Sequence, residues 1–338
     1  METKQKFDVI DLTKFIGSIL IFMIHMNALG DFEPLVIPLE IITRWCVPFF
    51  FVTSSYFLFS KSDGNNIDRK TLNNYLRRIG LLYLTYFIIN LPNIVCYRLI
   101  NEGIGDIHTW INFAKGTLLT STFTGSWYLN SSLFSAFFIY ILSRKMNTGK
   151  VLVITGFIQI ICILTSVYRG LLPTGAVNIL VGGLLFPINS FGGVFYFAIG
   201  KYIAENREKF RTIPNTVCIS VFLIAYAVFF AEVYLAENKG YIGLNDVGAG
   251  IVFASVALFL ILIKSKVTIK NNIVLRKLST IIYCGQANVL LLSRAFRKYF
   301  DTSYAVMFLF GSFLLAVFAA AVFFLKKWGK FKWAKYLT

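Results

Sequence analysis

The sequence predicts an all-α integral membrane protein with about ten transmembrane helices. Hydrophobic residues make up 57% of the 338 residues, and only 14% are charged. A soluble domain carries about 25% charged residues, so a soluble fold of this composition would expose large apolar patches. The apolar runs are also continuous rather than alternating, which favours helical spans over the strands of a β-barrel.

Ten apolar runs are candidates for spanning helices. They lie at about 9–29, 41–60, 78–97, 125–143, 151–167, 191–204, 214–235, 247–263, 278–293 and 303–325. The run at 191–204 is short and contains glycines, so it is the weakest candidate. No linker or soluble segment separates the runs, and residues 1–338 are therefore predicted to form a single polytopic membrane domain.

The formal net charge of +17 is informative about orientation. With a cytoplasmic N-terminus, 24 of the 33 lysines and arginines fall in cytoplasmic segments and seven in external ones. This asymmetry predicts a multi-pass protein of the cell membrane with both termini in the cytoplasm. The basic surface is expected to face anionic lipid of the bilayer rather than nucleic acid. One basic cluster is an exception to this positive-inside pattern, because it lies on the predicted external side: Arg294, Arg297 and Lys298.

Cysteine and histidine give no sign of a metal site. The five cysteines lie in apolar runs without a C-x-x-C pair, so neither a metal site nor a disulfide framework is predicted. Of the two histidines, His25 lies in the first apolar run. His108 lies in a stretch at 98–124 that has the pattern of an interfacial amphipathic helix, and we favour a solvated His108.

The first apolar run carries four polar residues on one helical face. Asp11, Lys14, Ser18 and His25 follow one another at intervals of three, four and seven residues. Lys14 and His25 are eleven residues apart, which is close to three helical turns and about 16 Å along the axis. Because ionisable groups are costly inside a membrane, this face is expected to line the bundle interior or a wet cavity.

Two interpretations of this face remain open. Asp11 and Lys14 form either a neutralising structural pair, with Lys14 reaching the inner surface, or part of a catalytic site. His25 makes either a buried interhelical hydrogen bond or acts as a general base, a natural role for a neutral imidazole deep in a membrane.

Other polar residues interrupt the later runs. Arg44 stands at the outer end of the second run, and Ser54 lies in a small polar patch within its aromatic stretch. Five further residues are candidates for substrate binding: Trp127, Tyr128, Glu232, Tyr283 and Gln286.

With these residues the chain resembles the acyltransferase 3 family of integral membrane acyltransferases. Lys14, ten residues and then His25 resemble the family's Arg-ten-residues-His signature, in a Gram-positive-type branch that has Lys in place of the usual Arg. Four later segments are similar to family motifs in the same order: residues 44–54, 127–129, 195–200 and 278–283. Two positions differ, because Ser55 replaces a family glycine and Gln286 stands where members often have histidine.

The resemblance implies an acyltransferase-3-like helical bundle and an enzyme that transfers acyl groups other than aminoacyl groups. The donor would be cytoplasmic acyl-coenzyme A, with acetyl-coenzyme A expected, and no metal would take part. The acceptor would be a hydroxyl of a cell-surface glycan or a small hydroxyl compound, giving O-acetylation in the cell envelope. His25 would be the essential histidine, and Lys14 and Arg44 would serve donor binding or catalysis. The oligomeric state is not implied.

The residues themselves are compatible with this chemistry. Acyl transfer from a thioester requires a base and a donor for the developing oxyanion. His25 is the candidate base, and Arg44 or Ser54 the candidate oxyanion donor. Arg77 and Arg78 are candidates for binding the phosphates of coenzyme A, although plain positive-inside topology explains them as well.

Two other classes of function stay open at this stage. A membrane transporter of a small polar solute such as serine is the main alternative, and it would need a closed cavity at the membrane midplane. Transporters are often built from internal repeats, and none is visible here. A structural subunit of an envelope complex is the weaker alternative.

Overall fold

The computed structural model describes residues 7–61, 67–100, 103–178, 188–238, 247–329 and 336–338. Basic residues near both ends that entered the charge count lie outside these ranges: Lys4, Lys6, Lys330, Lys332 and Lys335.

Throughout the described ranges the regular secondary structure is helical. The α-helices are α1 Asp8–His25, α2 Glu33–Thr43, α3 Cys46–Phe59, α4 Arg69–Ile89, α5 Leu91–Ile94, α6 Ile107–Leu119, α7 Ser126–Lys145, α8 Thr148–Leu164, α9 Thr174–Asn178, α10 Ile188–Phe191, α11 Val194–Glu205, α12 Arg207–Thr212, α13 Asn215–Asn238, α14 Ala249–Ile263, α15 Asn272–Phe300 and α16 Tyr304–Trp328. The predicted all-α class is therefore confirmed.

Three helical segments of the described chain are long and apolar enough to cross a membrane. They are Glu33–Phe59, Asn215–Glu237 and Tyr304–Trp328. Two shorter apolar helices are Thr148–Leu164 and Ala249–Ile263. The chain is thus an integral membrane protein, and the count of about ten spans stays a prediction.

The helix boundaries show two local departures from the predicted runs. The second run is divided between α2 and α3 by a turn that contains Arg44 and Trp45. In the 98–124 stretch the regular α-helix is α6, and the Asp106 carboxylate caps its start by accepting from the backbone N–H of His108 at 2.9 Å. His108 itself is exposed, as expected.

The chain packs into two compact units that alternate along the sequence. The first unit contains Met1–Thr43, Gly80–Trp127 and Lys266–Thr338, and the second contains Arg44–Ile79 and Tyr128–Ser265. The single domain predicted from the sequence stays a prediction.

In the first unit α15 is the central helix, because α1, α5 and α16 all pack on it. The core between α1, α15 and α16 consists of apolar side chains from all three helices: Phe22, Met26, Ile282, Val289, Leu290, Met307 and Leu315. This packing places the polar face of α1 against the polar residues of α15.

In the second unit α11 packs on α3 and α8, and α13 packs on α14. The contact between α3 and α11 is close and partly polar. Ser55 Oγ donates to the carbonyl oxygen of Phe197 at 2.5 Å, and the backbone of Gly200 lies against Val52 and Ser55. Ser55 therefore joins α3 to α11.

The approach of α3 to α11 predicts that Gly200→Ala destabilises the protein. An added Cβ would lie 2.6 Å from both Val52 O and Ser55 Cβ, so one helix must move. Overpacking of this kind costs about 1–3 kcal/mol. The matched control is Gly80→Ala in α4, where a Cβ meets no atom within 4 Å of it in the described structure and helix propensity improves by about 0.8–1 kcal/mol. Thermal unfolding in detergent measures both, and equal midpoints would contradict the prediction.

Candidate active site

The start of α1 is anchored to α15 by two buried carboxylates. Asp8 accepts from the backbone N–H of Ile269 at 3.0 Å and from the side-chain amide of Asn272. Asp11 accepts from Arg276 Nε at 2.8 Å and from Arg276 Nη2 at 2.6 Å. The Asp11 carboxylate therefore forms a two-point ion pair with α15, a geometry that is both strong and directional.

Both residues for which the sequence left two interpretations open, Asp11 and Lys14, contact α15. Arg276 is a residue of α15 and an ion-pair partner of Asp11. Lys14 is joined to α15 through its backbone, since Ser279 Oγ donates to the Lys14 carbonyl oxygen at 2.9 Å. Asp11 is thus paired with α15 at the start of α1, and its catalytic role stays a prediction.

His25 is the last residue of α1 and contacts Gln286 of α15. The distance between His25 Nδ1 and Gln286 Oε1 is 2.9 Å. Gln286 Nε2 donates to the carbonyl oxygen of Tyr283 at 2.8 Å. A carbonyl oxygen can only accept, so the amide of Gln286 is oriented with its oxygen towards His25. Nδ1 of a neutral His25 is then the donor, and the lone pair lies on Nε2.

Buried asparagines hold the segment of α15 that carries Gln286. Asn90 Nδ2 donates to the carbonyl oxygen of Cys284 at 3.1 Å, and Asn93 Nδ2 donates to that of Ala287 at 3.0 Å. Asn288 donates in return to the carbonyl oxygen of Ile89. Interhelical hydrogen bonds of this type contribute roughly 0.6–2 kcal/mol each in a membrane. Their geometry restrains the position of Gln286 relative to His25.

A glycine allows the chain to pass close to Gln286. Gly125 has φ +86°, and a Cβ there would lie 3.3 Å from Gln286 Nε2 and from the carbonyl oxygen of Tyr283. Trp127 follows two residues later at the start of α7 and is half-buried. The left-handed backbone at Gly125 therefore positions the beginning of the predicted aromatic motif.

A cavity of about 290 Å³ opens beside His25. It is lined by residues from the end of α1 and from α15 and α16: His25, Met26, Asn27, Arg294, Arg297, Tyr304 and Met307. Arg294 Nη2 lies 3.4 Å from the carbonyl oxygen of His25. The guanidinium carbon of Arg297 lies 3.8 Å from the ring centre of Tyr304. His25 thus borders a polar cavity with two arginines.

Asp31 holds the start of α16 beside this cavity. Its carboxylate accepts from the backbone N–H groups of Tyr304 at 3.0 Å and of Ala305 at 2.8 Å. The hydrogen bonds from Ala305 and Tyr304, and more weakly the charge of Arg297, lower the pKa of Asp31 below its usual value. The carboxylate is therefore ionised at neutral pH and keeps Tyr304 in place.

Several predicted site residues belong to the second unit. Arg44 lies in the turn between α2 and α3. Ser54 Oγ lies 2.9 Å from the hydroxyl of Tyr128, so these two predicted residues meet. Arg77 and Arg78 are exposed on α4, and the guanidinium carbon of Arg78 is 5.8 Å from the ring centre of Tyr75.

Glu232, predicted to bind substrate, has structural partners in the second unit. Its carboxylate accepts from the backbone N–H groups of Ala249 and Gly250, each at 3.0 Å, at the start of α14. Tyr168 donates its hydroxyl to Glu232 at 2.8 Å. Burial and the neighbouring carboxylate raise the pKa of Tyr168 to about 12. Glu232 therefore stabilises the positive end of a helix dipole.

The sequence did not identify Arg276, Arg294 and Arg297 as site residues. For Arg276 no local signal exists, since its partner Asp11 is 265 positions away. For Arg294 and Arg297 a signal was present, because both violated the positive-inside pattern. In the described part of the chain, no group of His, Cys, Asp and Glu residues has the arrangement of a metal site.

Comparison with known protein families identifies the family of the chain. The family described as an acyltransferase domain, acyltransferase family 3, matches residues 7–325. The chain belongs to this family of acyltransferase domains. The resemblance drawn from the sequence motifs is therefore confirmed, whereas the assignment to a branch with Lys in place of Arg stays a prediction.

One relative is an amino-acid racemase from Enterococcus faecalis. It is 25% identical over 219 residues, which cover 62% of this chain and 30% of the relative. The chain thus spans about a third of the length of that protein. No solved structure matches the chain.

The geometry around Asp11 predicts that the ion pair with Arg276 stabilises the first unit. Asp11→Asn keeps the shape of the side chain but removes the charge, and should lower the free energy of unfolding by about 1.5–3 kcal/mol. Arg276→Gln should cost a similar amount.

A double-mutant cycle provides the control for this ion pair. If the residues act as a pair, the Asp11→Asn/Arg276→Gln protein loses less stability than the sum of the two single losses. Unfolding in detergent measures all four proteins, and strictly additive losses would contradict the pairing.

Proposed function

We propose that the protein is a membrane O-acyltransferase that moves an acyl group from acyl-coenzyme A to an acceptor hydroxyl, with His25 as the general base. The acetyl group of acetyl-coenzyme A is the acyl group that we expect to be transferred. Membership of the acyltransferase family supports the reaction class. The contact of His25 Nδ1 with Gln286 Oε1 at 2.9 Å is the observation that carries the role of His25.

The proposed step transfers one proton and exchanges one bond. Nε2 of His25 accepts the proton of the acceptor hydroxyl while that oxygen attacks the thioester carbonyl. The carbon–sulfur bond breaks, and the proton held by His25 passes to the departing thiolate of coenzyme A. Gln286 supports this role because a hydrogen bond to Nδ1 holds the ring in the tautomer whose Nε2 is basic. Arg44 and Ser54 are the proposed donors to the oxyanion.

The donor is proposed to approach from the cytoplasm, with both termini of this multi-pass protein on that side. Lys14, Arg44, Arg77 and Arg78 are the proposed contacts for the anionic donor. The exposure of Arg77 and Arg78 is compatible with binding phosphates in solution. Lys14 lies about 16 Å from His25 along α1, a span that an extended thioester arm would have to cross.

The acceptor is proposed to be a hydroxyl of an extracytoplasmic glycan or a similar cell-surface compound. Trp127, Tyr128, Glu232, Tyr283 and Gln286 remain candidate contacts. Gln286 also contacts His25, and Glu232 also caps α14. We assign to Gln286 the additional role of orienting the base, and to Glu232 that of stabilising the fold.

Transport of a small polar solute such as serine is the second candidate function. The match to an amino-acid racemase favours it, because that relative's name connects it with amino acids. The two functions differ in what they require of His25. Acyl transfer requires a proton acceptor at this position, whereas transport that is not coupled to protons requires only a side chain that maintains the hydrogen bond.

The proposed base predicts that His25→Gln abolishes acyl transfer. Glutamine can form hydrogen bonds but cannot take up a proton at neutral pH, and loss of a general base typically lowers the rate by about 10²–10⁴. Purified protein is given radiolabelled acetyl-coenzyme A and envelope extract, and transfer of label is measured. Binding of acetyl-coenzyme A is measured separately and should be retained.

His108→Gln is the matched control, since His108 is an exposed residue of α6. This variant should transfer label at the wild-type rate. Turnover by His25→Gln near the wild-type rate would remove His25 from the mechanism and favour the transporter.

The role proposed for Lys14 predicts a dependence on charge. Lys14→Arg keeps a cation and should retain much of the activity, whereas Lys14→Met should lose it because the anionic donor is no longer attracted. Both variants are compared at equal abundance in the membrane. A Lys14→Met protein as active as the wild type would exclude a role for this charge.

A further inference from the structure

We propose that the cavity beside His25 binds an anionic group of the acceptor, with Arg294 and Arg297 as its ligands. The acceptor would then be a hydroxyl compound that carries a carboxylate or a phosphate. This inference rests on the proposed acyl transfer, because it assigns the cavity to the substrate whose hydroxyl His25 deprotonates.

The two arginines lie on the same face of α15. They are three residues apart, and both line the cavity of about 290 Å³ together with His25. Arg294 is placed by its contact with the carbonyl oxygen of His25, and Arg297 by its stacking on the ring of Tyr304 at 3.8 Å. Both guanidinium groups are thus held next to the candidate base.

The charge of the cavity favours an anion. None of its seven lining residues is acidic, and two are arginines. Asp31 is the acid whose charge acts on Arg297, but its carboxylate already accepts two backbone hydrogen bonds at the start of α16. Within the described structure, Arg297 Nε is buried and has no hydrogen-bond partner. A buried donor without a protein partner is available to a water molecule or a ligand, and planar guanidinium groups match carboxylate and phosphate oxygens.

The size and place of the cavity favour the acceptor over the donor. A volume of about 290 Å³ is at the lower end for ligand pockets and suits one sugar unit or a smaller compound. The cavity lies at the end of α1 that is distant from Lys14, where the donor is proposed to bind. An anionic acceptor held there would place its hydroxyl beside His25.

Protection of His25 from diethyl pyrocarbonate tests this inference without measuring acyl transfer. The reagent modifies histidine, and the chain has two, so exposed His108 is an internal control in every sample. Modification at each site is followed by mass spectrometry in phosphate-free buffer. The anionic probes are glucuronate and glucose 6-phosphate, and their neutral counterparts are glucuronamide and glucose.

At about ten times its dissociation constant, an anionic probe should slow modification of His25 about tenfold. The neutral probes should protect much less, and the rate at His108 should stay constant. Equal protection by glucuronamide, or no protection by either anion, would overturn the proposal.

Arg294→Gln and Arg297→Gln should each reduce the protection of His25 by the anions. Lys298→Gln is the matched control, because it removes the same charge from an exposed neighbour on α15 that does not line the cavity. Arg297→Lys is the conservative variant, which should retain part of the protection. If Lys298→Gln lost as much protection of His25 as the arginine variants, the effect would follow from net charge alone. That result would contradict a binding site.

A last measurement distinguishes whether the bound anion belongs to the acceptor or to the coenzyme A donor. Adenosine 3′,5′-bisphosphate carries phosphates like those of coenzyme A. If it protects His25 through Arg294 and Arg297 while the sugar anions do not, the cavity serves the donor and the acceptor assignment is wrong. Protection reports binding alone, so its failure is distinguishable from failure of the proposed reaction, which the turnover of His25→Gln measures.

Discussion

The contact between α1 and α15 is the constraint on which the candidate active site depends. At one end, the Asp11 carboxylate binds Arg276 through two hydrogen bonds, and at the other, His25 meets Gln286. Apolar side chains such as Phe22 and Leu290 fill the space between these polar contacts. Because a polar group in a membrane must find its partner within the protein, these pairs determine the register of the two helices.

Rigid support of Gln286 has a direct consequence for the chemistry of His25. The amide is oriented by the carbonyl oxygen of Tyr283, and the surrounding turn of α15 is held by Asn90 and Asn93. With Nδ1 bonded to this amide, the proposed base would need no change of tautomer before it accepts a proton. Glutamine at position 286 is thus compatible with the proposed catalysis, since a neutral amide holds the ring without competing for the proton.

The structure offers a reason for the two arginines near the end of α15 that do not follow the positive-inside pattern. From the sequence, Arg294 and Arg297 contradict the positive-inside pattern. In the structure they border the cavity next to His25. Charges that are unfavourable for topology are retained in membrane proteins where they contact a ligand or a water-filled space. The proposed substrate anion would give a physical reason for their position, and Asp31 contributes by holding Tyr304 beneath Arg297.

The sequence by itself determined the membrane class, the helical fold and the shared face of Asp11, Lys14 and His25, because these follow from composition and from the helical repeat within one segment. The partners of those residues were decided by tertiary structure. Gln286 is 261 positions from His25, and no local pattern indicates which residue of a distant helix completes a hydrogen bond. The capping role of Glu232 and the cavity were likewise decided by packing, since both arise where separate helices converge.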